Sequence, residues 1–418
     1  MDERTAAVAA VLTAGYGTER AEAIVKCFPS FKAYISAKKS DFDPKLFSAE
    51  DIELLSQPKI NEAEKIIKTC DAKNITVVPY FDDAFPQRLR EIPEPPLVLY
   101  TVGKPLPDLN GPPSISIIGT KDAKRQYLKF AAINSFSLAV MGFTVVSGIA
   151  PGIDSFSLKG ALFAGGNTVA VLPCGVDMSP GRCDTNLLTV LRTHGTLISE
   201  YPPQTPVKVW RYSKRNRILS GISQSTLVVE AGITSGALST AEYAIDQGRT
   251  VYAVPDEPYE PRSEGGNFLI RNGGVLASSF LDIIEDYNEK YGYGLDPLKH
   301  KDKLSKGFNA NPSIIVPNDS LIKEEPKPKK KKPQPKSAPI PAEKKESSKP
   351  KKSETDLPSL TKDEAEAYEF IKSRPTTADD LCENLGLGFI EAVDVLSSLV
   401  DKELIKEGAG GVYTASRQ

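Results

Sequence analysis

Lys214-Arg215-Asn216-Arg217-Ile218-Leu219-Ser220-Gly221-Ile222-Ser223 runs almost directly into the apolar stretch Thr226-Leu227-Val228-Val229-Glu230-Ala231. The second stretch has the unbroken aliphatic character of a strand buried on both faces. A turn or short helix must precede such a strand, which puts the cations at a sheet edge rather than inside a core. Arg carries a planar fork of donors matched to pairs of phosphate oxygens, and Asn adds a donor and an acceptor. A solvated, salt-bridged loop is the plainer alternative.

Similar aliphatic runs recur on either side of this one. Ser114 to Ile118, Thr144 to Ser147, Thr168 to Leu172, Gly195 to Ser199, Thr226 to Glu230 and Thr250 to Val254 read as strands. Stretches of helical character such as Tyr127 to Met141 and Ala237 to Gln247 separate most of them. This alternation predicts an α/β fold with a Rossmann-like parallel sheet core, covered by helices on both faces, over residues 110–300. Ligands of such sheets bind at the carboxyl ends of the strands.

Residues 1–109 read as a small helical domain followed by an entry segment. Ala6 to Leu12 and Ala23 to Phe28 are apolar stretches separated by Gly15-Tyr16-Gly17-Thr18, a turn that ends in an N-cap residue. Ile60, Ala63, Ile66 and Ile67 have helical spacing. A helix-turn-helix pair of this kind serves either as a helix-hairpin-helix DNA module or simply as packing. Pro93, Pro95, Pro96, Pro105, Pro107, Pro112 and Pro113 mark the transition to the α/β region.

The chain's formal net charge is only −2, but its distribution is uneven. Lys323 to Glu354 holds twelve lysines against five glutamates, a net of +7 that leaves −9 for the rest. Residues 301–358 lack apolar periodicity and are Lys/Pro-rich, so they read as a disordered basic linker. Residues 359–418 regain it and read as a winged-helix domain. Lys362 to Ser373, a helix opening at Thr376 to Leu381, and Ile390 to Leu399 supply its helices, and Gly408 to Tyr413 its wing. The third helix carries Glu391 and Asp394 and no cation before Lys402. A major-groove reader needs Arg or Lys there, so protein contact is expected of this domain rather than duplex reading.

Five scattered cysteines without a C-x-x-C pair suggest reduced thiols and a cytoplasmic protein, and no run is long enough to span a membrane. Two histidines, His194 and His300, exclude a histidine-based metal site or a Ser-His-Asp triad. No cofactor or metal is expected.

Several turns have the small residues that phosphate binding needs. The first strand ends in Gly119-Thr120-Lys121, with Lys124 and Arg125 close behind, so a hydroxyl, helix-start N–H groups and cations converge. The second ends in Ser147-Gly148-Ile149-Ala150-Pro151-Gly152-Ile153-Asp154, with Lys159 in the next helix. Asp154 reads as a helix cap. Gly232 to Ala237 and Gly266-Asn267 add further turns. Neither G-x-x-x-x-G-K-[ST] nor G-x-G-x-x-G follows a strand, which argues against a P-loop ATPase and against NAD binding.

The ordered motifs Gly119 to Lys121, Ser147 to Asp154, Ala170 to Asp177, Ser199 to Pro202, Arg215 to Ile218, Val228 to Ala231, Ser235 to Ala241, Gln247 to Pro255 and Gly265 to Ile270 resemble the DprA (Smf) family of DNA-processing proteins. The entry segments Tyr80 to Leu89 and Pro95 to Tyr100 are also similar to that family. The resemblance spans roughly Val77 to Ile284. It implies a non-enzymatic protein that binds single-stranded DNA, self-associates as a homodimer and hands incoming DNA to the RecA recombinase during natural transformation. The matching DNA-pocket positions are Thr120, Lys121, Ser147, Gly148, Arg215, Asn216, Arg217 and Asn267, with Lys124, Arg125, Lys159 and Lys214 as neighbouring cations. Lys121 and Pro151 stand where the family has Arg, Leu158 and Lys159 where it has His and Arg, and Asp256 where it has Gly. Lys lacks the bidentate fork, so altered phosphate binding is implied.

Two alternatives stay open. Gly236 to Glu242 loosely echoes the Gly-rich turn of nucleoside-monophosphate phosphoribohydrolases, with Glu242 as base or nucleophile. A sensor of a small phosphorylated nucleotide is the other.

Overall fold

The alanine-rich run Ala6 to Ala10 has no polar face and is buried all round as the middle of α1 (Glu3–Ala14). Around it pack α2 (Glu19–Cys27), α3 (Phe31–Ile35), α4 (Ala49–Leu55) and α5 (Ile60–Ala72). Short polar side chains, Asp2, Thr18, Ser30 and Ser48, start α1 to α4. The Thr18 hydroxyl accepts from the Ala21 N–H, and Ser48 forms a reciprocal capping box with Asp51.

In the computed structural model the described residues are 1–257, 264–309 and 360–385, with 392, 395, 396, 398–400, 402, 404–407 and 413–415. Two compact units result, Met1–Val316 and Pro317–Gln418.

The entry segment contributes β1 (Thr76–Pro79), the short α6 (Gln87–Arg90) and β2 (Val98–Gly103). The predicted strands then follow as β3 (Ser114–Ile118), β4 (Thr144–Ser147), β5 (Thr168–Val171), β6 (Thr196–Ser199), β7 (Ser225–Val228) and β8 (Thr250–Ala253). Between them lie α7 (Arg125–Val140), α8 (Ile153–Phe163), α9 (Thr185–His194), α10 (Trp210–Ile222) and α11 (Gly236–Asp246). The unit ends with α12 (Glu264–Arg271), β9 (Val275–Leu276), α13 (Phe280–Tyr291) and α14 (Lys301–Asn309).

All nine strands form one sheet in the order β1-β2-β6-β5-β4-β3-β7-β8-β9. From β6 to β9 every pairing is parallel, and β1 and β2 are added antiparallel on the β6 side. Alternate residues of each strand face opposite ways. Ile115, Ile117, Val145, Leu227 and Tyr252 join the core under α7 and α13, while Ile118, Val146, Val228 and Ala253 join the core under α10 and α11. The fold is therefore the predicted Rossmann-like sheet covered on both faces.

Two expected boundaries shift. Residues 76–103 belong to the same sheet as the α/β core, so it extends beyond residue 110 into the entry segment. Lys301 to Asn309 forms α14 instead of opening the linker, because Leu304 is buried in the core under α7. The rest of the expected linker, 310–358, lies outside the described residues.

The turn at Gly15 to Thr18 is used for packing. Tyr16 meets the Tyr201 ring at 5.3 Å between centroids. Gly17 has φ +59°, and a Cβ there would stand 2.1 Å from Arg217 Nη2. The turn thus faces the α/β body, where a helix-hairpin-helix reader would present it to phosphates.

The second unit contains α15 (Lys362–Ser373), α16 (Ala378–Leu385) and an antiparallel hairpin of β10 (Ile405–Glu407) and β11 (Tyr413–Ala415) around Tyr368, Ile371, Leu381, Leu396, Leu399 and Ile405. Burial alone would raise the Glu364 carboxyl. Lys402 Nζ at 2.7 Å, with the Ser398 hydroxyl, holds it at about 2 instead. Part of the predicted Ile390 to Leu399 helix, including Glu391 and Asp394, and the Gly408 to Val412 wing tip lie outside the described residues.

Candidate functional site

The strand order turns back between β3 and β7. From β3 the chain steps outward to β4, β5 and β6, then returns to lay β7 and β8 on the other side. The crevice at the carboxyl ends beside such a reversal is the usual ligand position of open α/β sheets. A cavity of about 360 Å³ occupies it. Gly119, Thr120, Lys121 and Asp122 line it after β3, Asp154 enters from α8, and Tyr212, Arg215 and Asn216 come from α10. Ser235, Gly236, Ala237 and Thr240 close it with the first turn of α11, whose positive dipole end lies at the cavity.

Arg215 is the central cation. It is buried and donates Nη1 to the Val171 carbonyl at 2.7 Å, which fixes the guanidinium at the end of β5. Its Cζ is 5.9 Å from the Tyr212 ring centroid, and Lys121 Nζ is 5.5 Å from the same ring. Two cations and an aromatic face therefore meet in one cavity. Burial pulls the Arg215 pKa down, and the opposing charge of Asp154 pushes it back up.

Asp154 is not the cap of α8, because that position is Gly152. Its carboxyl is buried, and burial raises its pKa to about 6 against the pull of Arg215, the Gly119 and Ala150 N–H groups and Lys121. Gly148 makes this arrangement possible. A Cβ there would stand 2.3 Å from Asp154 Oδ2 and 2.7 Å from Arg215 Nη1.

The expected turn or short helix before β7 is the full helix α10, and the cationic run sits buried in its middle rather than at a sheet edge, which divides its members. Successive helix residues point about 100° apart. Arg215 points into the cavity. Asn216 lines its wall, donating Nδ2 to Ser239 Oγ at 2.9 Å and to the Gly236 carbonyl at 3.3 Å, and so ties α10 to α11. Arg217 is only 2% exposed and forks onto Glu200, with Nη2 to Oε2 at 2.6 Å and Nη1 to Oε1 at 3.2 Å. Its guanidinium is thereby committed to Glu200, and Arg217 does not line the cavity. Lys214 pairs with Glu94 at 2.6 Å.

Other expected site residues are also engaged elsewhere. Ser147 Oγ donates to the Ile117 carbonyl at 2.6 Å inside the sheet. Lys159 pairs with Asp184 at 2.7 Å and lies over the Phe156 ring. Asn267 bonds both backbone groups of Asp256, bracing the segment after β8. The Lys124 N–H donates to Glu230 Oε2 at 3.0 Å, so the start of α7 already faces a carboxylate, and Arg125 is the exposed first residue of that helix. The Thr120 N–H donates to the Glu230 carbonyl at 2.7 Å. Of the expected set, Thr120, Lys121, Arg215 and Asn216 line the cavity, with Gly148 behind Arg215.

The sequence reading did not single out Tyr212 or Asp122, and it gave Asp154 the task of a helix cap. Extending the expected short helix back to Trp210 puts Tyr212, Arg215 and Leu219 on one face by their spacing. Glu242 is exposed on α11 and lines a different cavity with Ile245, Phe268 and Lys290. Among the described residues no cluster of three His, Cys, Asp or Glu side chains is arranged to hold a metal ion, and no helix is long and apolar enough to cross a membrane.

The family model described as DNA recombination-mediator protein A matches residues 76–288. The DNA processing protein DprA of Bacillus subtilis (strain 168) is 31% identical over 226 residues, covering 54% of this chain and 76% of the relative. Protein Smf of Escherichia coli (strain K12) is 31% identical over 263 residues, covering 61% and 69%. The X-ray structure of DNA processing protein A from Streptococcus pneumoniae aligns with a TM-score of 0.57 at 24% identity, over 67% of this chain and 97% of that one, and shares the fold.

Proposed function

The chain belongs to the DNA recombination-mediator protein A family, and from that membership we propose that it binds single-stranded DNA through the cavity between β3 and β7, without catalysis. The observation that carries this reading is the meeting of Lys121, Arg215 and the Tyr212 ring in one cavity. Cations suit the backbone phosphate and an aromatic face suits an unstacked base, a pairing that single strands offer and a duplex does not. A cavity of about 360 Å³ admits a nucleotide, whereas no helix is presented for a major groove by the elements that line it.

The wider role follows from the family. The protein is proposed to act in DNA processing during uptake and recombination in the cytoplasm, and to pass the bound strand to a RecA-type recombinase. Self-association as a homodimer is supported by exposed Ile245, Phe268, Leu276 and Leu281 near the short edge strand β9. The C-terminal unit is proposed to contact protein. Its Lys402 is committed to Glu364 and adds little cationic surface. A phosphoribohydrolase role for Glu242 is disfavoured by its position on another cavity.

Anisotropy titration of the full chain with labelled oligo-dT and a duplex of equal length tests the reading. Single strands are expected to bind more tightly, with log affinity falling against log salt by about 0.7 per phosphate contacted. Equal affinity for duplex, or an affinity indifferent to salt, contradicts it.

A further inference from the structure

The proposed anion site contains its own anion. Asp154 reaches the cavity from the first turn of α8, and its Oδ2 and Arg215 Nη1 both crowd the space left by the missing side chain of Gly148. The carboxyl is buried, and the backbone N–H groups of Gly119 and Ala150, from the turns that follow β3 and β4, pull its pKa down against the effect of burial. A phosphate drawn to Arg215 thus approaches a buried carboxylate that lies beside the same guanidinium across Gly148.

We propose that Asp154 competes with phosphate for Arg215, so that a DNA phosphate enters the cavity together with a proton on Asp154. This rests on the reading of the cavity as the single-strand site and adds its regulation. Two like charges within one buried site cannot both persist without a large cost, and the cheaper outcome is neutralisation of the carboxyl.

The surroundings favour that outcome. Burial already lifts the Asp154 pKa to about 6 in the free protein. The charged groups acting on it are Arg215 of α10 and Lys121 of the turn after β3, with Asp122 and the Tyr212 phenol on the same cavity wall. The strands packed against α8, namely β3, β4 and β5, contain no ionisable side chain. From α7, Arg125 and Lys129 are exposed, as are Arg192 and His194 of α9, and Asp184 at the start of α9 is paired with Lys159. A bound anion raises the Asp154 pKa further, so the bound state holds more protons than the free state above about pH 6. Affinity therefore falls as pH rises through that value.

The test is oligo-dT affinity of the full-length protein from about pH 6 to about pH 8, for the wild type and Asp154→Asn at fixed salt. The wild-type Kd is expected to rise by up to about tenfold per pH unit, and that of Asp154→Asn by less than about twofold overall, with the variant tighter at about pH 8. Asn keeps the shape and the hydrogen-bond acceptor, so a structural role alone would not remove the slope. Calorimetric titration of the wild type in buffers of different ionisation heat decides the matter even if the variant fails to fold: proton uptake near pH 7 supports the proposal. Single-strand binding with parallel pH profiles, or with no proton uptake, overturns it while leaving the cavity's assignment intact. Absence of single-strand binding at every pH overturns both.

Discussion

Arg217→Ala is expected to destabilise the protein by about 3–5 kcal/mol, although Arg217 lies two residues from the cavity's central cation. The guanidinium and the Glu200 carboxylate are each 2% exposed and bonded fork to fork. Removing one partner leaves a buried charge without compensation, and the penalty is the desolvation of Glu200 more than the loss of the pair itself. The substitution also opens space beneath Gly17, where the α1–α2 turn closes over Nη2. Urea unfolding followed by circular dichroism reads the effect as a lowered midpoint. Arg217→Met combined with Glu200→Leu removes both charges and is expected to recover much of the loss. A single substitution that leaves the midpoint unchanged would show that water reaches Glu200 and that this pair does not hold the helical layer on the sheet.

Arg215→Ala is expected to act on binding. Charge-assisted hydrogen bonds contribute roughly 1.5–3 kcal/mol, so oligo-dT affinity should fall about ten- to hundredfold. The side chain also braces the end of β5 through the Val171 carbonyl, so the folded fraction must be checked by circular dichroism at the titration temperature. Arg215→Lys is the informative companion. It keeps the charge without the fork, and an intermediate affinity is expected. Wild-type affinity in a folded Arg215→Ala protein would remove Arg215 from the site.

The same two residues show how far the sequence could be read. The six central strands were legible because each is buried on both faces and so is aliphatic without interruption. β1 and β2 were not, because they are antiparallel additions set among prolines, with Pro79 itself ending β1. The turn chemistry after β3 pointed to Thr120 and Lys121, and both line the cavity. A turn or short helix was expected before β7, but the length and burial of α10 were hidden because its middle buries Arg215, Asn216 and Arg217, so the run lacks the apolar stripe that marks an amphipathic helix. Without the helix, three neighbouring polar residues read as one ligand set. Their true partners, Val171, Ser239 and Glu200, lie 44, 23 and 17 residues away, where no local pattern reveals them.

Asp154 was misread for a related reason. An acidic residue just after a glycine-rich turn usually caps the coming helix. Here Gly152 occupies the cap position, with φ +80° and no room for a Cβ, which would stand 2.3 Å from the Thr120 carbonyl oxygen and 2.4 Å from that of Lys121, and Asp154 follows two residues later, in the cavity. Only the closeness of Arg215 across Gly148 turns that carboxyl from a local fixture into a charge that phosphate must contend with.

Photocrosslinking of the full-length protein to a single strand containing thiothymidine, with the modified peptides mapped by mass spectrometry, tests the location of the DNA site most directly. Crosslinks are predicted within residues 118–122 and 208–219, with those on Tyr212 lost when Arg215 is replaced. Crosslinks confined to residues 360–418, or to the groove around Glu242 and Phe268, with none at the cavity between β3 and β7, would contradict the account.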